Sequence, residues 1–336
     1  MGVADVIPGV SGGTIALILN IYERLIAAIK SLSPKSVIGL LKCLNIWKPE
    51  QRVKLIAQLK ELDLIFLIIL ASGIFSAVLS LSTIIPNLVF KYTEYTFGCF
   101  LGLIVPSIFI PWKMIKNKNA GAYVALIAGL GLTIGFSYLM KKHVGASSYD
   151  AGMLKASIIL FFSAILAISA MILPGISGSF ILMLLGQYLF VSGLIAKLKV
   201  DLLGSSVNER KKMALELVEN FSTSEACILV GLFMLGCVIG ILLMSRLIHY
   251  CLKKSHDVTM AFLTGMICSS LYVLWPFKEA RPEGVDMKDW LPKASNILPD
   301  MNQVTVNSII IFAVALIGST AFIIYGSKRA DKKETD

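Results

Sequence analysis

Residues 7–14 read IPGVSGGT and residues 173–180 read LPGISGSF. Both carry Pro-Gly, one hydrophobic residue, then Ser-Gly, and both sit in sequence apolar enough for a membrane interior. Proline has no N–H and stops an incoming helix. The glycines accept unusual backbone angles and let another atom approach the main chain. Irregular backbone survives at membrane depth only when it is buried in protein or faces a wet cavity. Two such breaks in one chain therefore demand a structural reason, and the remaining sequence is read around them.

Of 336 residues, 56 % are hydrophobic and 15 % charged, and the mean hydropathy is +0.79. Soluble chains average roughly 45–50 % apolar and about 25 % charged. Apolar segments cover residues 3–29, 64–85, 96–112, 121–140, 154–198, 226–251, 258–275 and 304–325. A membrane span needs about 20 such residues. The runs are continuous, without the period-two alternation of a β-barrel. The expectation is an all-α polytopic membrane protein. Residues 31–61 and 199–224 alternate apolar and basic positions at helical spacing. They suit amphipathic helices at the membrane interface or ordinary polar helical loops. Residues 278–303 read as a mixed-charge loop, and the end SKRADKKETD (327–336) as disordered.

The net charge is +10, with the bases placed in loops and tail, as the positive-inside rule places them. No compact basic domain exists for nucleic acid. The six cysteines show no C-x-x-C spacing and the three histidines are scattered. Neither a metal site nor a cofactor is expected. No basic n-region and no small-residue cleavage site precede the first apolar stretch, so no cleavable signal is read there.

The chain repeats itself. With Pro8 placed over Pro174, 166 positions on, Gly9, Ser11, Gly12, Leu19, Tyr22 and Ile29 match Gly175, Ser177, Gly178, Leu185, Tyr188 and Ile195. At an offset of 163, Gly73, Lys91, Thr96, Gly102 and Ser107 match Gly236, Lys254, Thr259, Gly265 and Ser270, and Glu94 lies over Asp257. The order is conserved between the two blocks, which marks a repeat: residues 1–150 and residues 151–336. In the first half the Pro-Gly element makes an even net crossing and three spans follow. The second half then enters from the opposite side. This is the inverted-topology repeat of many secondary transporters, with two re-entrant or broken helical hairpins meeting near the midplane. A full apolar helix precedes Pro174 but only seven residues precede Pro8. A leading helix is missing, or the chain begins at an internal start codon. With residues 31–61 and the C-terminus cytoplasmic, about 16 Lys/Arg fall inside and about 12 outside, which favours that orientation.

A helix restarting after each break, at Ile15 or Phe180, has free N–H groups and a positive dipole end. Such an end holds oxyanions, and a serine can cap it. The candidate phosphate site is therefore Pro8, Gly9, Ser11, Gly12, Gly13 and Thr14 with Pro174, Gly175, Ser177, Gly178 and Ser179. The alternative is a Pro-Gly kink that only packs helices. Tyr22 and Tyr188 are cavity hydroxyls or belt aromatics. Glu23 and Arg24 bind a headgroup phosphate, pair with each other, or form a plain interfacial ion pair. Charge within a membrane is functional by default. Asp5, whose counterpart is Met171, and Glu23 are the candidates for coupling to H+ or Na+. Glu94 and Asp257 read as helix N-terminal acids.

At ADVIPGVSGGTIALILNIYERLI (4–26) the chain resembles the bacterial and archaeal polyprenyl-phosphate transporters, the PopT-like undecaprenyl-phosphate translocases. PGISGS in the second half supports the resemblance, which covers essentially the whole chain. It implies a multi-pass protein of the bacterial cytoplasmic membrane. Its substrate would be undecaprenyl phosphate, returned between leaflets for reuse in cell-wall polymer synthesis, with ion-gradient coupling. Undecaprenyl-pyrophosphate phosphatases carry a similar motif, P-G-x-S-R-S. Here the arginine position is Gly12 or Gly178, and the only E-x-x-x-E spacing, Glu279 to Glu283, lies in a polar loop. Without a cation for the leaving phosphate and a base, an enzyme is the weaker alternative. An inorganic-anion channel or exchanger is the other. Oligomeric state is not legible.

Overall fold

The computed structural model describes residues 1–2, 11–33, 36, 38–39, 49–81, 84, 88, 91–143, 152–204, 212–280, 282, 294–299 and 303–335. Asp5, Pro8 and Gly9 lie outside the described residues. Those described are helical throughout, apart from connections and one isolated antiparallel bridge between Lys278 and Asn296.

In the first half of the sequence, α1 (Gly12–Ile18) and α2 (Tyr22–Ser31) are short helices joined by a tight turn. α3 (Pro49–Glu61) precedes α4 (Leu64–Leu81). α5 (Thr93–Ile104) passes through a 3₁₀ turn, Val105–Ile108, into α6 (Phe109–Met114), and α7 (Ala120–His143) follows. In the second half, α8 (Met153–Ile172) leads to α9 (Gly178–Leu184), α10 (Tyr188–Leu203) and α11 (Lys212–Glu216). α12 (Thr223–Lys254), α13 (His256–Val273) and α14 (Gln303–Thr335) complete the chain.

Thr93–Met114, Met153–Ile172 and Thr223–Lys254 are each long and apolar enough to cross a membrane, and Leu64–Ala77, Ala120–Gly135 and Thr305–Ala321 are shorter apolar stretches. Their outer faces expose Phe75, Ile127, Phe162, Val314 and Ile317, while Ser11, Thr14, Ser163, Thr264 and Ser270 are buried. That distribution inverts a soluble protein's and suits a bilayer as solvent.

Two local expectations are revised. The helices restart at Gly12 and Gly178, earlier than Ile15 and Phe180, and Ser11 caps the first of them by accepting from Gly13 N. Pro106, inside the span read at 96–112, sits at the start of the 3₁₀ turn, where a missing N–H costs little. The end expected to be disordered from residue 327 continues α14 through Thr335. No Gly or Pro follows Gly326, and Lys, Arg, Ala and Glu sustain a helix.

Each short restarted helix stops the same way. Asn20 (φ 54°) and Gly186 (φ 69°) adopt left-handed backbone 166 positions apart. The next residue's N–H then reaches back five, Ile21 to Ala16 at 2.9 Å and Gln187 to Leu182 at 2.7 Å. This is the Schellman signature of a helix end.

The long helices pair between halves: α5 packs against α14, and α7 against α13. Gly98 lies on the Ser308 carbonyl and Gly102 on that of Phe312, so α5 and α14 run parallel. Gly121 lies beside Val258, Gly129 on the Phe262 carbonyl and Gly265 on that of Leu126, so α7 and α13 also run parallel. The 115–119 loop meets the start of α13, where the backbone N–H groups of Lys116 and Asn117 donate to Asp257 at 3.0 and 2.8 Å. The chain therefore approaches this end of the bundle through α6 and leaves it through α13. Within α8 and α12, Gly236 and Gly240 lie on the carbonyls of Phe161 and Ile165. Small residues permit such backbone approach where lipid supplies no hydrophobic drive.

A side chain at Gly102 or Gly265 would collide with main chain, whereas Gly131 has open space around it. Gly102→Ala and Gly265→Ala are each expected to destabilise by about 1–3 kcal/mol, read as a lowered Tm of the detergent-solubilised protein. Gly131→Ala should not lower Tm.

Candidate functional site

α8 ends because Pro174 cannot donate to the helix, which leaves its last carbonyls without helical partners. The first half supplies those partners. Ser11 Oγ donates to the Met171 carbonyl at 2.9 Å, and Tyr22 Oη donates to that of Ile172 at 3.4 Å. In a continued helix Gly175 N–H would bond Met171 O. Instead it donates to Thr14 Oγ1 at 3.2 Å. Gly175 takes φ +86°, and a Cβ there would strike the Met266 carbonyl. A Cβ at Gly13 would lie 2.5 Å from the Ile172 carbonyl. The described parts of the two Pro-Gly-x-Ser-Gly segments thus meet in direct hydrogen-bonded contact, with α1 seated on the broken end of α8.

The hydroxyls have different duties. Ser11 and Thr14 are buried, and Ser11 both donates to Met171 O and accepts from Gly13 N. Ser177 Oγ and Ser179 Oγ lie 2.8 Å apart and bond each other. Ser177 is half-buried and Ser179 exposed. Gly12, Gly178 and Pro174 are buried among these contacts. Tyr22 is fully buried, whereas its counterpart Tyr188 is exposed.

Glu23 and Arg24 pair with residues outside the motif and not with each other. Arg24 grips Asp63 through Nε (2.5 Å) and Nη2 (2.8 Å) and lies over the Phe66 ring. Glu23 Oε1 lies 3.0 Å from His256 Nε2, and His256 Nδ1 lies 3.5 Å from Asp257 Oδ1. The paired Arg24 guanidinium holds the Asp63 carboxyl below the usual carboxylate range. Asp63 and His256 were not singled out from sequence. Their partners are 39 and 233 positions away, beyond any local signal. Asp257 was read correctly as a helix N-terminal acid, and Glu94 lies in the first turn of α5. Among the described residues no three His, Cys, Asp or Glu side chains gather as a metal site would require.

The family model described as undecaprenyl phosphate translocase-like matches residues 1–289. A protein of Vibrio cholerae named polyprenyl-phosphate transporter is 33 % identical over 279 residues, covering 83 % of this chain and 76 % of the relative. One of the same name from Staphylococcus aureus is 29 % identical over 283 residues, covering 82 % of this chain and 83 % of the relative. No solved structure matches significantly.

Thr14→Val removes the acceptor for buried Gly175 N–H and is expected to cost about 1–3 kcal/mol. Thr14→Ser, which keeps the hydroxyl, should retain most of that stability in the same thermal melt. The Arg24–Asp63 pair sets a pH dependence. Because the folded-state pKa of Asp63 is depressed, its stabilisation is present above the ordinary Asp range and lost as pH falls through the folded value. The Tm gap between the wild type and Asp63→Asn should be open at neutral pH and close below about pH 4, and it should be small for so exposed a pair.

Proposed function

The chain belongs to the undecaprenyl phosphate translocase-like family, and from that premise we propose that it carries a polyprenyl phosphate between membrane leaflets. The observation behind the mechanism is the contact of the two motif segments through Thr14 and Gly175. A lipid monophosphate presents one charged headgroup that must cross, while its tail never needs to leave hydrocarbon. The protein has to supply polar contacts at depth along an opening to lipid. In this reading Ser177 and Ser179, bonded only to each other among the described residues, lend hydroxyls to the phosphate. Gly12 and Gly178, at the first turns of the restarted helices, let its oxygens approach backbone N–H groups, while Gly13 and Gly175 allow the close contact of the two segments. Ser11 and Thr14 hold the two segments in register. Pro8 and Gly9 complete the first segment by analogy with Pro174 and Gly175.

The architecture proposed is an inverted repeat of residues 1–150 and 151–336, its two broken hairpins meeting near the midplane. Matching left-handed turns at Asn20 and Gly186 support it. So does the reciprocal pairing of α5 with α14 and of α13 with α7. Chain direction also supports it, because α6 arrives at the end of the bundle that α13 leaves. Rocking of one half against the other would open the site to each leaflet in turn. The membrane is proposed to be the bacterial cytoplasmic membrane, with the C-terminus inside. Coupling to H+ or Na+ is proposed through Glu23, which His256 contacts, with Asp5 the second candidate. The relatives are named for transport, and no observation favours the phosphatase or anion-channel alternatives.

Reconstitution in liposomes tests this directly. Protein-dependent movement of a fluorescent polyprenyl phosphate between leaflets is expected, read by quenching of the outer leaflet. No movement under either a proton or a sodium gradient sinks the reading. Ser177→Ala/Ser179→Ala should slow transport by about tenfold or more, and an unchanged rate removes both hydroxyls from the site.

A further inference from the structure

Where α2, α12 and α13 meet, at the end of the bundle that also holds Asp63 and the 115–119 loop, the structure contains a cavity of about 560 Å³. Glu23, Arg24, His249, Lys253 and His256 are in its wall. It is separate from the motif contact, since neither Pro-Gly-x-Ser-Gly segment lines it.

The charges there do not balance locally. The acids that meet this cavity's cations already have partners. Glu23 meets His256, Asp63 is held by Arg24, and Asp257 accepts two backbone N–H groups. Lys253 and His249 are in the wall, and Lys30 lies three residues beyond Ala27 of that wall on α2. None of these three has an acidic partner among the described residues. Arg24 spends Nε and Nη2 on Asp63, which leaves Nη1 to donate. Two cations from two helices, Arg24 and Lys253, thus border one cavity of ligand size together with the His249 imidazole. Their mutual repulsion is relieved by an anion.

The arrangement occurs once. At the repeat offsets, Arg24, Lys30, His249, Lys253 and His256 correspond to Phe190, Ala196, Pro86, Phe90 and Thr93, and none of those carries charge. The opposite end of the pseudo-symmetric bundle has no equivalent cluster in its sequence.

We propose that this cavity is a one-sided binding site for a phosphate monoester, held by Arg24, His249 and Lys253. The ligand chemistry is shared by the headgroup of a polyprenyl phosphate and by free phosphate. Its assignment to the carried lipid, and its place at one face only, rest on the transporter reading above. As a headgroup site, it holds the phosphate on one side of the membrane before or after the central passage. It gives an otherwise symmetric carrier a loading end and a releasing end.

The test is calorimetric titration of the full-length protein in detergent with farnesyl phosphate, farnesol and inorganic phosphate. The Ser177→Ala/Ser179→Ala background isolates the cavity from the motif contact. Farnesyl phosphate should bind and farnesol should not. Lys253→Gln should weaken binding by about tenfold, the worth of one charge-assisted bond. Lys253→Arg should stay within roughly threefold, because the charge is kept. An unchanged Tm for each variant shows that the fold is intact. Competition by inorganic phosphate at equal concentration assigns the site to the free anion, and a preference for farnesyl phosphate assigns it to the lipid headgroup. Either supports the site. No binding in this background, or binding that Lys253→Gln leaves unchanged, overturns it. If liposomes show no lipid movement while binding still depends on Lys253, the transporter reading falls and the site stands.

Discussion

The break after Ile172 is the constraint on which the rest depends. A helix that stops inside a bilayer leaves carbonyl and N–H groups that no water can satisfy, each costing several kcal/mol if left alone. Here the carbonyls of Met171 and Ile172 and the N–H of Gly175 find Ser11, Tyr22 and Thr14, more than 140 residues away in sequence. One half of the chain is thereby the solvent for the broken end of the other. The glycines are part of this, since Gly13 and Gly175 each lie where any side chain would strike a carbonyl. The same contact that satisfies the backbone brings the two motif segments together.

Much of this was legible because membrane constraints are severe and local. Continuous apolar runs, helix breakers at depth and an ordered internal repeat fixed the helical class and pointed to the two segments that meet. The restart at Gly12 was not legible, because it depends on Ser11 folding back as a cap. The partners of Glu23 and Arg24 were invisible for a different reason. His256 and Asp63 reach them only after α2, α4, α12 and α13 have packed, and no periodicity announces contacts at that separation. The division of labour among the hydroxyls was also hidden. Ser11 and Ser177 occupy matching positions, yet one is committed to the Met171 carbonyl and the other only to its neighbour Ser179. Residue 13 is glycine where residue 179 is serine, and Thr14 stands where residue 180 is phenylalanine; these two differences separate the copies chemically.

Similarity between halves and difference within them therefore serve distinct ends. The matching turns at Asn20 and Gly186, and the swapped pairing of long helices, give each half the same mechanical outline. The departures concentrate in polar groups, at the Ser177–Ser179 pair and at the charged end of α2 and α12. In the inverted-repeat architecture proposed above, an exchange of shapes between the halves is neutral in packing while remaining biased in electrostatics.

The swapped pairing also bears on how the molecule is made. α5 presents Gly98 and Gly102 to the carbonyls of α14, the last helix of the chain. These two seams close only between the halves, since α7 likewise packs on α13. During synthesis the glycine-lined faces of α5 and α7 therefore meet their final partners only once the ribosome has delivered α13 and α14.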